Sequence, residues 1–277
     1  MRKILLTFII CLLLCGCAEA RERSPRYISL APSTTEILFA LGLNEQVIAV
    51  SSFCNFPEAA RTKEKIGDFS RPNIEKILSL KPDYIFCTGL EQAPVIEELR
   101  RLKLNVYVSD PVNVSQLLDS IRNIGAITQK KDASEKIIGE ISRAVGEVKA
   151  RVLRANKPRP KVFIEIWYDP LTTAGPGSFV DELLSIAGGE NIASDTKRPY
   201  SIYSPEQVIK HKPDCILLAY MGVQRPSNLL LERAGWQDIP AVRNKRLYDD
   251  INPDIILRPG PRIVEGLEEI HKRLFNP

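Results

Sequence analysis

The chain has 277 residues, 44% of them apolar, 26% charged and 7% aromatic. That composition supports a substantial core and excludes a disordered or collagen-like chain, and six cysteines are too few at this length for a disulfide scaffold. Lys+Arg against Asp+Glu is 38 against 34, a mixed surface with no nucleic-acid footprint.

Arg2 and Lys3 precede an apolar run over residues 4–14, a charged n-region and h-region too short for a spanning helix of about 20 residues. No later run approaches that length. The segment closes on Leu14-Cys15-Gly16-Cys17, which resembles a bacterial lipobox. This makes 1–16 a leader, Cys17 a lipidated N-terminus and 17–25 a tether, since two or more acyl chains anchor a protein stably. The alternative is an ordinary secretory signal cut near Ala18 or Ala20. Beyond the leader, Cys54, Cys87 and Cys215 remain, an odd set that cannot pair completely. Their spacing matches no zinc pattern, with only His211 and His271 to help. They read as small buried hydrophobes, with a Cys54–Cys87 bridge as the alternative.

From residue 26 onward, β-rich runs at 27–30, 47–50, 84–87 and 106–108 alternate with helix-like stretches at 34–41, 73–80, 93–102 and 114–127. This predicts an α/β lobe with a largely parallel sheet over 26–131. Residues 132–156 then carry Ile137, Ile141, Ala144, Val148 and Val152 at three- and four-residue spacing, the stripe of a connecting helix roughly 35 Å long. It stops at Lys157-Pro158-Arg159-Pro160. A second α/β lobe over 158–277 follows, with a strand at 162–166, a Gly/Pro turn at 175–177, a helix at 178–187, a strand at 215–219 and a last helix from Pro261 to about residue 275.

The halves repeat. Residues 73–83, ending Lys81-Pro82-Asp83, return at 204–214, ending Lys212-Pro213-Asp214, with Glu75 matched to Glu206 at a displacement of 131. A looser echo sets Thr35-Glu36-Ile37-Leu38 before Gly42 against Asp181-Glu182-Leu183-Leu184 before Gly188. Two related lobes joined by one long helix, with a cleft between them, is the economical architecture.

The segments Ile28-Ser29-Leu30-Ala31-Pro32-Ser33-Thr34-Thr35-Glu36, Val50-Ser51-Ser52-Phe53-Cys54-Asn55-Phe56-Pro57, Ala187-Gly188-Gly189-Glu190-Asn191-Ile192 and Arg258-Pro259-Gly260-Pro261-Arg262-Ile263, together with the paired Lys-Pro-Asp helices, carry a resemblance over residues 26–277. The chain resembles the helical-backbone class of ABC-transporter substrate-binding proteins, and most of all its cobalamin-binding members; ferric siderophores and haem are the class's other ligands. The resemblance implies little hinge movement. It also implies docking of Glu75 and Glu206 on arginines of a two-fold permease that works with a cytosolic ATPase. A glutamate in a first helical turn also simply complements the macrodipole, but a matched pair suits a symmetric partner.

A corrin pocket needs aromatic walls and scattered polar donors, placed where strands end. Phe53 matches a family aromatic that is commonly tyrosine; Phe69 and Tyr200 match positions that are often tryptophan. Trp167 and Tyr168 follow the first strand of the second lobe and are expected to face the cleft. Asp254, Ile255, Ile256, Leu257 and Arg258 match a ligand-contacting segment. Arg71 and Arg198 suit either a solvated rim or an anionic siderophore or haem propionate.

A membrane-anchored enzyme is the competing class, and its parts are missing. Val180 stands where a nucleophile elbow at Gly175-Pro176-Gly177-Ser178 requires glycine. There is no P-loop, dinucleotide fingerprint or His-Glu-x-x-His. Both histidines are expected at the surface, which leaves no general base but a carboxylate. The expectation is a non-enzymatic monomer without metal or cofactor, lipid-anchored in the periplasm or on the outer face of the cytoplasmic membrane and carrying cobalamin as its transported ligand.

Overall fold

The computed structural model describes residues 23–220 and 227–275; the leader, and with it the lipidation expected at Cys17, lies outside the described residues. The first lobe runs β1 (Tyr27–Ser29), α1 (Pro32–Ala40), β2 (Val47–Val50), α2 (Glu58–Arg61), β3 (Glu64–Lys65), α3 (Ile74–Ser79), β4 (Tyr84–Cys87), α4 (Ala93–Arg101) and β5 (Val106–Val108). Its sheet has the order β3-β2-β1-β4-β5 and every pairing is parallel. Helices α5 (Val114–Ile127) and α6 (Lys131–Ala155) then lead into the second lobe. That lobe runs β6 (Lys161–Trp167), β7 (Thr172–Ala174), α7 (Phe179–Ile186), β8 (Glu190–Asn191), β9 (Tyr200–Ile202), α8 (Pro205–His211), β10 (Cys215–Leu218), α9 (Pro240–Arg243), β11 (Leu247–Tyr248), α10 (Asp254–Leu257) and α11 (Ile263–Phe275). Among the described residues, no helix is long and apolar enough to cross a membrane.

The second sheet keeps three parallel pairings, β10–β11, β10–β6 and β6–β8, and adds two antiparallel ones. Its order is β11-β10-β6-β7-β9 with β8 also on β6, and β6–β7 and β7–β9 are antiparallel. Only residues 168–171 separate β6 from β7, and a parallel return needs a crossover of a dozen or more residues.

Alternation along the strands sorts side chains onto two sheet faces. Cys215, Leu217 and Ala219 point into the main core, whereas Ile216, Leu218 and Tyr220 point into a smaller cluster on the outer face of the second sheet. In the first lobe Tyr27 and Phe86 join the main core, while Ile28, Ile85 and Cys87 join an outer cluster. The main core is continuous through both lobes by way of Ile141, Val145 and Val148 of α6 and the inner faces of α5, α7 and α11. Cys54 packs in the main core and Cys87 in the outer cluster. All three cysteines are free and buried, which removes the Cys54–Cys87 bridge.

Both sequence echoes are structural. Lys81 and Lys212 each close a helix with positive φ, 46° and 52°. The aspartate two residues on then pins the new strand to its neighbour. Asp83 donates its amide to the Arg26 carbonyl (2.8 Å) and accepts the Arg26 amide on Oδ2 (2.7 Å). Asp214 does the same with Lys161, at 2.7 and 2.8 Å. In the looser echo, Gly42 and Gly188 take φ of +75° and +95°, values that favour glycine. The amides of Gly42 and Leu43 bond to Phe39 and Leu38, and those of Gly188 and Gly189 to Ser185 and Leu184.

Candidate functional site

The strand ends of the two lobes carry the candidate ligand residues. Phe53, just after β2, is 55% exposed, and Trp167, at the end of β6, is 50% exposed with its Nε1 donating to the Asp169 carbonyl at 2.8 Å. Tyr200, first residue of the edge strand β9, is 49% exposed. Partial burial, with a contribution from Asp110 on the loop after β5, raises its phenol pKa. Phe69 is half-buried. Its carbonyl accepts from Nε2 of Gln92 at 2.8 Å, and Gln92 also bonds the Leu30 carbonyl (3.0 Å) and the Thr88 amide (2.9 Å). A fully buried amide thus ties three first-lobe loops together beside Phe69; its sequence gave no hint of this.

Tyr168 turns away from these rings. The Arg233 guanidinium lies 4.5 Å from its centroid and 4.6 Å from that of Trp236. The same guanidinium forks onto the wholly buried Glu165 at 2.6 and 2.7 Å, and Glu165 also accepts from the Tyr220 hydroxyl at 2.6 Å. An acid inside the apolar strand 162–166 was the one sequence signal for this network.

The segment expected to touch ligand is largely internal. Ile256 is fully buried and Ile255 nearly so, both in the main core, and Leu257 packs against it. The expectation that Ile255 and Ile256 fill a pocket is corrected: both face the core, while Leu257 keeps part of its surface exposed. Asp254 and Arg258 pair with each other at 2.8 Å and with the first lobe. Arg258 Nη1 donates to Asn55 Oδ1 at 2.6 Å and lies 3.7 Å from Glu36, while Asn55 Nδ2 donates to Asp254 at 3.3 Å. Arg262 adds two bonds to the buried Glu36, at 2.6 and 2.9 Å, and sits 3.8 Å over the Phe56 ring. Two carboxylates and two guanidiniums therefore close a neutral, cross-lobe cluster. Burial lowers the Arg258 pKa, and Asp254 and Glu36 oppose that shift. Arg71 and Arg198 are exposed.

Glu75 and Glu206 stand exposed at the second position of α3 and α8. Asn73 and Ser204 cap these helices, accepting the amides of Lys76 (2.8 Å) and Glu206 (3.2 Å). The Ser204 hydroxyl also bonds the Glu206 carboxylate and lowers its pKa.

His211 is half-buried, but His271 contradicts the surface expectation. It lies on the buried stripe of α11, its Nδ1 3.0 Å from the Ala187 carbonyl and its ring 5.0 Å from that of Phe275. Among the described residues, no group of three or more His, Cys, Asp and Glu side chains could hold a metal ion.

The model of the periplasmic binding protein family matches residues 28–253. YvrC of Bacillus subtilis strain 168, an uncharacterized ABC transporter substrate-binding lipoprotein, is 30% identical over 261 residues, covering 92% of this chain and 81% of that protein. The periplasmic vitamin B12 binding protein BtuF of Vibrio cholerae superposes with a TM-score of 0.77 at 28% identity, over 90% of this chain and 96% of its own. The periplasmic heme-binding protein RhuT of Roseiflexus sp. RS-1, in apo form, does so with a TM-score of 0.82 at 26% identity, over 92% and 99%. With the match running across both sheets and the helix between them, the chain belongs to the periplasmic binding protein family, a family of transport-associated binding proteins and not of enzymes.

Proposed function

We propose that this chain is the extracytoplasmic substrate-binding lipoprotein of an ABC importer, tethered through Cys17, and that its cargo is cobalamin or a related corrinoid. The observation that carries the ligand class is the set of exposed aromatics at the strand ends of both lobes. Phe53, Trp167 and Tyr200 offer rings from both lobes, suited to a broad flat macrocycle. The poorly exposed guanidiniums of the cross-lobe cluster, Arg258 and Arg262, are committed to Glu36, Asp254 and Asn55. At those two positions a carboxylate-bearing ligand would have to draw a guanidinium away from a buried partner, at a cost of several kcal/mol, which leaves the exposed Arg71 and Arg198 as the arginines open to a haem propionate or an anionic siderophore; an uncharged, amide-bearing ring needs neither. The sequence likeness to a vitamin B12 binding protein supports the same reading.

Isothermal titration of the chain from Glu19 onward with cyanocobalamin, a ferric siderophore and haem tests it. The expected outcome is one-to-one binding of cyanocobalamin, at least a hundredfold tighter than the other two. Tight binding of an iron complex with none of cyanocobalamin would discard the corrinoid and leave the transport role standing.

A further inference from the structure

Glu36 and Glu182 hold matched places in the two lobes, each followed six residues later by the glycine that ends its helix with the same pair of backbone bonds. Each carboxylate then leaves its own lobe. Glu36, nearly without exposed surface, takes Arg262 at 2.6 and 2.9 Å and Arg258 at 3.7 Å, both from the second lobe. Glu182 reaches the other way and accepts the Val114 amide at 2.5 Å, at the first turn of α5. That amide is one of the donors a helix start leaves unpaired. The helix's own cap, Asn113, is occupied with Gln116 at 2.8 Å, so the second lobe supplies what the first lacks.

We infer that Glu36 and Glu182 are a matched pair of clasps, one cast in each direction, that fix the spacing of the lobes in the unliganded protein. They act as positioning residues: Glu36 through Arg258 and Arg262, Glu182 through the start of α5. Asn55 extends the first clasp, joining both Arg258 and Asp254 to the loop that bears Phe53. If ligand binds between the lobes, as the functional reading above holds, the clasps preset the distance between Phe53 on one wall and Trp167 on the other. Binding would then cost little reorganisation. Without Glu36, two poorly exposed guanidiniums face each other with Asp254 alone to balance them, which drives the lobes apart at that point.

The test is a distance measurement that needs no ligand. Spin labels at Glu97→Cys in α4 and Lys210→Cys in α8, both exposed, report lobe separation, and the native thiols are buried. The double variant Glu36→Gln, Glu182→Gln should at least double the width of the distance distribution, with each single variant between. Its affinity for cyanocobalamin should fall at least tenfold while unfolding stays cooperative. If the Glu36 variant fails to fold, Glu182→Gln alone must still widen the distribution. An unchanged width in the folded variants overturns the clasps. Widening with unchanged affinity sustains the clasps and overturns the placement of ligand between the lobes. An unsubstituted protein that ignores cyanocobalamin overturns the ligand, and the widths still decide the clasps.

Discussion

Glu165 is a carboxylate without exposed surface in the middle of β6, and Arg233 is the group that makes it tolerable there. Removing one partner of a buried ion pair strands the other charge, at a cost of about 3–5 kcal/mol. Arg233→Ala should therefore lose about that much in urea-induced unfolding, far more than Arg122→Ala on the exposed pairs with Asp119 and Glu135, where about 0–1 kcal/mol is expected. The buried thiols make a second residue-scale test. Burial pushes Cys87 and Cys215 up to about 12 and raises Cys54 as well. The thiolate is the reactive form, so the upward shift keeps these groups protonated and inert. At pH 8 a colorimetric thiol reagent should count none in the folded chain from Glu19 onward and three after denaturation. A fast-reacting thiol in the folded protein would contradict the packing described for it.

At the scale of elements, the helix–Lys–Pro–Asp–strand unit is the repeated device. Its lysine accepts positive φ, its proline blocks further helix, and its aspartate exchanges two bonds with the adjacent strand. Asp214→Ala removes an acceptor from the Lys161 amide. It should cost about 1.5–3 kcal/mol, as hydrogen bonds to charged groups do, measured as a lower urea midpoint with unchanged slope; Asp83→Ala should behave alike. This unit was legible in sequence because it occurs twice. The limits of α5 coincide with the predicted 114–127, and α6 falls within one residue of 132–156, since an unbroken apolar stripe marks a helix directly. β7 and β9, of three residues each, are too short to display alternation, so the antiparallel part of the second sheet left no trace. His271 misled because Glu268, Glu269, Lys272 and Arg273 surround it in sequence; only the spacing of Ile263, Leu267, Ile270 and Leu274 places it inward. Ile255 and Ile256 misled differently, since an apolar run reads the same against a ligand as against a core. The rim positions of Phe53, Trp167 and Tyr200 follow from strand ends. Asn55 to Arg258 is a partnership across 203 residues, and nothing local announces it.

For the whole molecule, we propose that the two exposed glutamates at matched helix starts are docking points for the permease, as the resemblance implies. They touch none of the cleft residues described above, so Glu75→Ala with Glu206→Ala should abolish uptake in cells while titration shows ligand affinity unchanged. Retained uptake, or lost affinity, would withdraw the docking role. Charge complementarity of this kind sets register and encounter rate, and the slowing caused by each single variant should therefore be larger at low salt, where the charges are least screened, than at high salt.

The core that passes through α6 without a break at the lobe boundary also bears on how such a chain can change over generations. Were the lobes packed separately, each copy could accumulate substitutions at its own pace. Here Val148 and Ile141 belong to a core shared by both copies, so a new side chain there disturbs packing that neither copy holds alone and the inner helix layer changes in concert. The loops beyond the strand ends sit outside that constraint, free to be rewritten for a different cargo on an unaltered frame.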